Sequence, residues 1–170
     1  MRSYEPADAD VVLAINLESE PGVGSMDEVK LAFFAEHAAF FVVAEARDFA
    51  GDEGDDDETV LGFMVVLDES VEGYGSNNYA WFKERYPSFA YVDRIAVTAS
   101  AKGRGLGPAM YRAVEAWAVG HGKPHLVAEV NTIPDNPHSH HFHLKSGFTE
   151  VGRGHPYGGD EEVAYYERLL

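Results

Sequence analysis

The sequence predicts a mixed α/β (α+β) fold built on one central sheet. Three observations point there. Segments of helical and extended pattern follow one another in the order ααββ-βαβαββ, which suits helices packed on a single mixed sheet. The 170 residues are 45% hydrophobic, enough to bury a core in one domain spanning residues 1–170. A strand-like run ending at Val97 enters a glycine-rich turn that opens an amphipathic helix.

From Ala7 to Glu18 the apolar residues Val11, Val12, Ile15 and Leu17 fall at helical spacing, with Asp8 or Asp10 as the expected cap. Pro21-Gly22-Val23-Gly24 breaks that helix. Ser25 followed by Glu28 has capping-box spacing and starts a second helix to about Ala38. Phe40 to Ala46 and Val60 to Leu67 read as strands joined by a long acidic loop at about 48–59. Residues 68–88 form an insertion without an assigned element, glycine-rich first and then aromatic at Tyr79, Trp81, Phe82 and Tyr86. Phe89 to Val97 is a third long strand. Gly103 to about Gly120 is a glycine-rich turn leading into an amphipathic helix with Met110, Val114, Trp117 and Ala118 on one face. His125 to Asn131 has the pattern of a buried strand. A turn at Pro134-Asp135-Asn136-Pro137 leads into a short helix through Leu144, closed near Gly147. Strands at Phe148–Val151 and Val163–Leu169 complete the order.

The charge is uneven. The chain carries 13 Lys+Arg and 29 Asp+Glu, a net −16. Divided after Tyr86, the first half holds −15 and the second −1. Six of the acids lie between Asp52 and Glu58, a block that repels itself and reads as a solvated loop without the spacing of a calcium site. The balance argues against nucleic acid as a partner. No apolar run reaches membrane-spanning length and the N-terminal residues lack an apolar signal core, so a cytoplasmic, membrane-free protein is expected. With no cysteine, disulfides and thiolate chemistry are excluded.

Chemistry concentrates in Lys102-Gly103-Arg104-Gly105-Leu106-Gly107-Pro108. Glycines allow close backbone approach, a helix start offers unpaired N–H groups, and Lys102 and Arg104 add positive charge; together they suit a diphosphate. The P-loop pattern fails for want of Gly-Lys-Ser/Thr. The dinucleotide fingerprint fails because one residue, not two, precedes the third glycine, and because Glu129, although about the right distance downstream, sits inside a strand. A third template, Gln/Arg-x-x-Gly-x-Gly/Ala, is met with Lys102 in first place. Asn136, Ser139, Phe142, His143, Gly147 and Phe148 match a second pattern, Asn-x-x-Ala-x-x-Phe/Leu-Tyr-x-x-x-Gly-Phe. In both motifs the chain resembles the GNAT superfamily of acyl-CoA N-acyltransferases, well over Phe89–Val151 and in element order elsewhere.

The resemblance implies a mostly antiparallel sheet with splayed middle strands and helices on both faces. It implies acetyl-CoA as co-substrate, held by the backbone of Ile95, Ala96 and Val97, by Lys102, Gly103, Arg104, Gly105, Leu106 and Gly107, and by Asn136, Ser139, Phe142 and His143. The Val97 N–H would polarise the thioester carbonyl, and Pro108 would bring no N–H to the loop. The reaction implied is direct attack by a primary amine, which needs a base because an alkyl amine is almost wholly protonated at neutral pH. Asp93, four residues before Val97, is the first candidate and Glu129 the second; Tyr91 could anchor a water. His143, where family members often carry Tyr, is the candidate proton donor to the leaving thiolate. His138, His140, His141 and His143 do not converge on a zinc geometry, and no metal is expected. The acceptor, a small-molecule or peptide amine, would meet residues 21–26 and the insertion near Tyr74 to Tyr86, where the acid excess favours a cation. A homodimer is compatible with the reading, and a catalytically silent acyl-CoA sensor is the alternative.

Overall fold

Short-range chemistry sets each boundary in the computed structural model, which describes residues 1–20, 22–45 and 59–170. The acidic block at 52–58 lies outside the described residues. Five α-helices and seven strands are present among those described: β1 (Arg2–Ser3), α1 (Ala9–Ser19), α2 (Glu28–His37), β2 (Phe40–Glu45), β3 (Val60–Asp68), α3 (Asn77–Lys83), β4 (Ala90–Val97), α4 (Leu106–Gly120), β5 (His125–Ile133), α5 (Pro137–Lys145), β6 (Thr149–Gly154) and β7 (Glu162–Leu169). The strands hydrogen-bond in the order β1-β2-β3-β4-β5-β7-β6. The chain gathers into two compact units, one of Met1–Val66 with Arg94–Ala116, the other of Leu67–Asp93 with Trp117–Leu170.

In the first unit β2 and β3 pair antiparallel from Phe40↔Val66 to Ala44↔Gly62, with an irregularity at Ala44/Glu45. Val12, Ile15, Leu31, Phe34, Val43 and Phe63 are buried here. The two-residue strand β1 pairs with β2 and is fixed by Arg2, which donates to Glu45 and Asp8 at 2.8 Å each. These bonds correct the expected caps. Asp8 precedes α1, but its carboxylate accepts from Arg2 and from the Glu5 N–H rather than from the helix. The cap of α2 is Asp27, which accepts from the Lys30 N–H at 2.8 Å, so Ser25 and Glu28 form no capping box. The shorter carboxylate next to the first turn reaches its N–H groups directly.

In the second unit β5 pairs antiparallel with β7, and β7 with β6. The parallel pairing of β4 with β5 covers only Ala90↔Leu126 and Tyr91↔Val127. The insertion holds a helix the sequence reading left out: Ser76 caps α3 through the Tyr79 N–H. Tyr79 and Phe82 are core residues, and Trp81 stacks on Tyr165 with centroids 4.0 Å apart. A side chain at Gly152 would put its Cβ 2.8 Å from Trp81, so the bare backbone there makes room for the ring. The aromatic run therefore packs α3 onto the strands. At the other end, Asn136 caps α5 and Gly147, with φ 83°, closes it as the sequence indicated.

Candidate active site

The first unit presents the glycine loop. After β4 the chain makes a 3-10 turn at Ala99–Ala101, and α4 begins at Leu106 after the glycine turn. Gly103 and Gly105 have φ of 79° and 86°, in the region that L side chains avoid, and a Cβ on either would meet no atom within 4 Å. Lys102 and Arg104 are exposed, while the Leu106 side chain is buried and anchors the helix start. The Arg104 N–H is bonded to Ala101 O, and the first bond of α4 runs from Ala109 N–H to Gly105 O. The N–H groups of Leu106 and Gly107 thus belong to the helix's first turn, where no intrahelical acceptor exists.

Beside the loop, the end of β4 has a fixed orientation. The Thr98 N–H donates to Leu61 O of β3 at 2.8 Å. Alternation along an extended strand then turns the N–H groups of Val97 and Ile95 toward the opposite edge, and that of Ala96 toward β3. Gly62 permits this approach: a Cβ there would lie 2.7 Å from Ala96 O and 2.9 Å from Val97 Cγ1. On the other face of β4, buried Arg94 donates to Asn16 Oδ1 at 2.9 Å and to Gly24 O at 3.1 Å, with its guanidinium 4.8 Å from the Phe34 ring centroid. It anchors the α1–α2 connection, a role with no motif to announce it.

The second unit presents two carboxyl groups. Glu129 Oε1 accepts from Tyr91 Oη at 3.0 Å and from Asn78 Nδ2 at 3.1 Å, and Tyr165 Oη donates to Asn78 Oδ1 at 3.2 Å. Glu129 Oε2 is buried without a hydrogen-bond partner. Burial, and secondarily the charge of Asp93, push the Glu129 carboxyl up to about 8. Asp93 accepts from the hydroxyl of Tyr74. Tyr91 is buried, and desolvation with the Glu129 and Asp93 charges holds its phenol well above the usual range. Tyr74 and Asn78 were not singled out from the sequence; they sit in the insertion, where no periodic pattern marks them. Tyr91 packs against the Tyr79 and Phe82 rings, and its hydroxyl goes to Glu129.

His143 also lies in this unit. It is buried against Phe142, Phe148 and Tyr166. Its Nδ1 lies 2.8 Å from Ser139 O, and a carbonyl can only accept, so Nδ1 carries the proton and a neutral ring bears a lone pair at Nε2. Burial lowers its basicity. His140 donates from Nε2 to Asn131 O at 3.0 Å and accepts at Nδ1 from Tyr166 Oη at 2.8 Å. Asn136 spends its Oδ1 on the Ser139 N–H. Among the described residues, no group of three or more His, Cys, Asp or Glu side chains could hold a metal ion, and no helix is long and apolar enough to cross a membrane.

The expected set is divided between the units: Ile95 to Gly107 lie in the first, and the second holds Asp93 with Glu129 and, on or next to α5, Asn136, Ser139, Phe142 and His143. Among solved structures, the chain is similar to Ard1 from Thermoplasma volcanium, with a TM-score of 0.75 at 19% identity over 99% of this chain and 95% of that one. It is similar to Chaetomium thermophilum Naa20 in complex with a bisubstrate analogue, with a TM-score of 0.72 at 18% identity over 99% of this chain and 85% of that one. It is also similar to Arabidopsis thaliana NAA60 in complex with a bisubstrate analogue, with a TM-score of 0.74 at 14% identity over 99% and 95%. At these identities the likeness speaks for the fold. No curated protein matches the chain by sequence. The family model described as acetyltransferase (GNAT) family matches residues 17–148. By that match, which takes in the glycine loop, both carboxyl groups and α5, the chain belongs to the GNAT acetyltransferase family.

Proposed function

We propose that the chain transfers an acetyl group from acetyl-CoA to a primary amine by direct attack, with Glu129 as the base and Asp93 beside it. The observation that carries the reading is Glu129: a carboxyl held by Tyr91 and Asn78 through one oxygen, with the other buried and unpartnered, and an affinity for protons moved near neutrality. Such a group is matched to taking a proton from an ammonium at physiological pH. Asp93 is the alternative base of the same centre, with its carboxylate oriented by the Tyr74 hydroxyl.

The glycine loop fits a diphosphate. Its positive-φ glycines leave open space above the backbone, α4 starts there, and Lys102 and Arg104 are exposed. Gly103 to Gly107 would hold that group. Ile95 and Val97 turn their N–H groups to the edge where the pantetheine arm would pair, and the Val97 N–H would stabilise the oxyanion. Acetyl-CoA supplies the acyl thioester: the ammonium gives one proton to Glu129, the neutral amine forms the N–C bond, the C–S bond breaks, and the second proton shed by the nitrogen ends on the departing thiolate as CoA thiol. Proton donation by His143 to the thiolate would require its cationic ring, which burial disfavours.

The test is release of free CoA from acetyl-CoA by the full chain over a panel of primary amines, repeated with Glu129→Gln, Asp93→Asn and His143→Phe. Turnover that falls by about 100-fold or more in Glu129→Gln supports the assignment. Binding of acetyl-CoA with no transfer to any amine points to a silent acyl-CoA sensor.

A further inference from the structure

We infer that the acceptor is an amine with no carboxylate on the carbon beside it, so that simple alkyl amines and amide-linked amines are substrates and free α-amino acids are discriminated against. The inference rests on the reading that the amine is delivered to the Asp93 and Glu129 centre, and it follows from the charges of the second unit.

The groups recorded on Glu129 are neutral donors, the Tyr91 hydroxyl and the Asn78 amide, and the Tyr74 hydroxyl donates to Asp93. None of these would compensate an arriving carboxylate. Glu129 Oε2, buried and without a partner, is an acceptor suited to an ammonium N–H. An arriving carboxylate would face the charge of Asp93, already felt by Glu129, where screening by water is weak.

Five of the six basic side chains of this unit are engaged elsewhere. It holds six Lys+Arg against twelve Asp+Glu. Lys123 bridges Asp68 and Glu69 at 2.8 and 2.7 Å, Lys83 pairs with Glu72 at 3.0 Å, and Arg153 pairs with Glu150 at 2.7 Å. Arg85 lies over the Trp81 ring at 3.7 Å, and Arg168 donates to Ser146 O at 2.8 Å. Lys145 is exposed in the last turn of α5. Arg94, next to Asp93 in sequence, sends its guanidinium to Asn16 and Gly24. Recognition of an amino acid's carboxylate is best served by a bidentate arginine; each arginine of this unit already has a partner, and using one would break that pairing.

The experiment compares acceptors that share a side chain and differ in the group beside the amine: phenethylamine, phenylalaninamide and phenylalanine, then ethylamine, alaninamide and alanine. With acetyl-CoA and the full chain, kcat/KM for the free acid is expected at least ~10-fold below both partners in each set, a gap set by like-charge repulsion. Asp93→Asn is expected to narrow the gap several-fold. Calorimetric binding of the same compounds to the CoA-saturated chain gives a readout independent of transfer, with the free acids bound more weakly. Equal or preferred use of the free acids, equal binding, or binding of none of the six overturns the inference. If binding discriminates but no acetyl transfer occurs, the charge preference stands and the transferase reading falls.

Discussion

Glu129 illustrates how position and environment together set a carboxyl's affinity for protons, and with it the test of the proposed base. A glutamate on an exposed strand face titrates near ~4.3; in this chain burial and the neighbouring Asp93 charge move it to about 8. A base acts in its deprotonated form, so kcat/KM is expected to rise with pH through a limb near 8 and to flatten above it. Glu129→Gln should abolish that limb and leave any limb near ~10 that belongs to the free amine. Asp93→Asn should move the limb to lower pH, because one like charge is removed; a pH–rate profile for each variant checks both. Both acids were legible in the sequence from their strand positions. The burial of Glu129 was not, because it depends on Tyr91, Asn78 and Tyr165 arriving from three separate segments.

Among the elements, those with strong local signals were legible. The glycine loop, the amphipathic α4 and the Gly147 closure of α5 are specified by a few adjacent residues, and the folded chain places them within a few positions of expectation. The helix α3 escaped notice because seven residues with scattered aromatics give little periodicity, and its fixing contacts, Trp81 on Tyr165 and Asn77 to Pro156 O, span the sequence. Gly62 was silent for a similar reason: its need is set by the backbone of a distant strand. Gly62→Val should therefore lower stability by roughly 1–3 kcal/mol from overpacking. It should also weaken acetyl-CoA binding, because the displaced segment carries Ile95 and Val97; thermal unfolding and calorimetry measure the two effects. Gly105→Ala has open space but the wrong backbone region, and a cost of about 1 kcal/mol is expected. Lys102→Ala with Arg104→Ala should spare the fold and make acetyl-CoA binding less sensitive to salt.

For the whole chain, the −16 charge and the buried acid act on stability in separable ways. Self-repulsion should make the unfolding midpoint rise with salt between ~10 mM and ~0.5 M, over which the screening length falls several-fold. Glu129 contributes in a defined window. Its folded-state affinity for protons exceeds that of the unfolded chain, so the folded protein holds an extra proton between about 4.5 and about 8. Its contribution is fully present below that window and is lost as pH rises through it. Glu129→Gln should therefore gain stability relative to the parent as pH increases from 5 to 8, a trend visible in paired melting curves. In the opposite sense Lys123, together with bonds from Ser70 to Asp68 and from the Phe89 N–H to Glu69, outweighs the burial of both acids and lowers their affinity for protons. That contribution is present at neutral pH and is lost in acid.

The short pairing of β4 with β5 also bears on how the protein keeps. Ala90↔Leu126 and Tyr91↔Val127 pair these strands, and farther along β4 the Ile95 and Val97 N–H groups turn to the edge away from β3, where main-chain groups are of the kind that recruits foreign strands. A pantetheine arm laid along Ile95 and Val97 would act as a removable selvedge, finishing an edge that otherwise invites stacking between molecules. Protein stored or warmed with acetyl-CoA should stay monodisperse in light scattering under conditions where the same sample without it coarsens into aggregates.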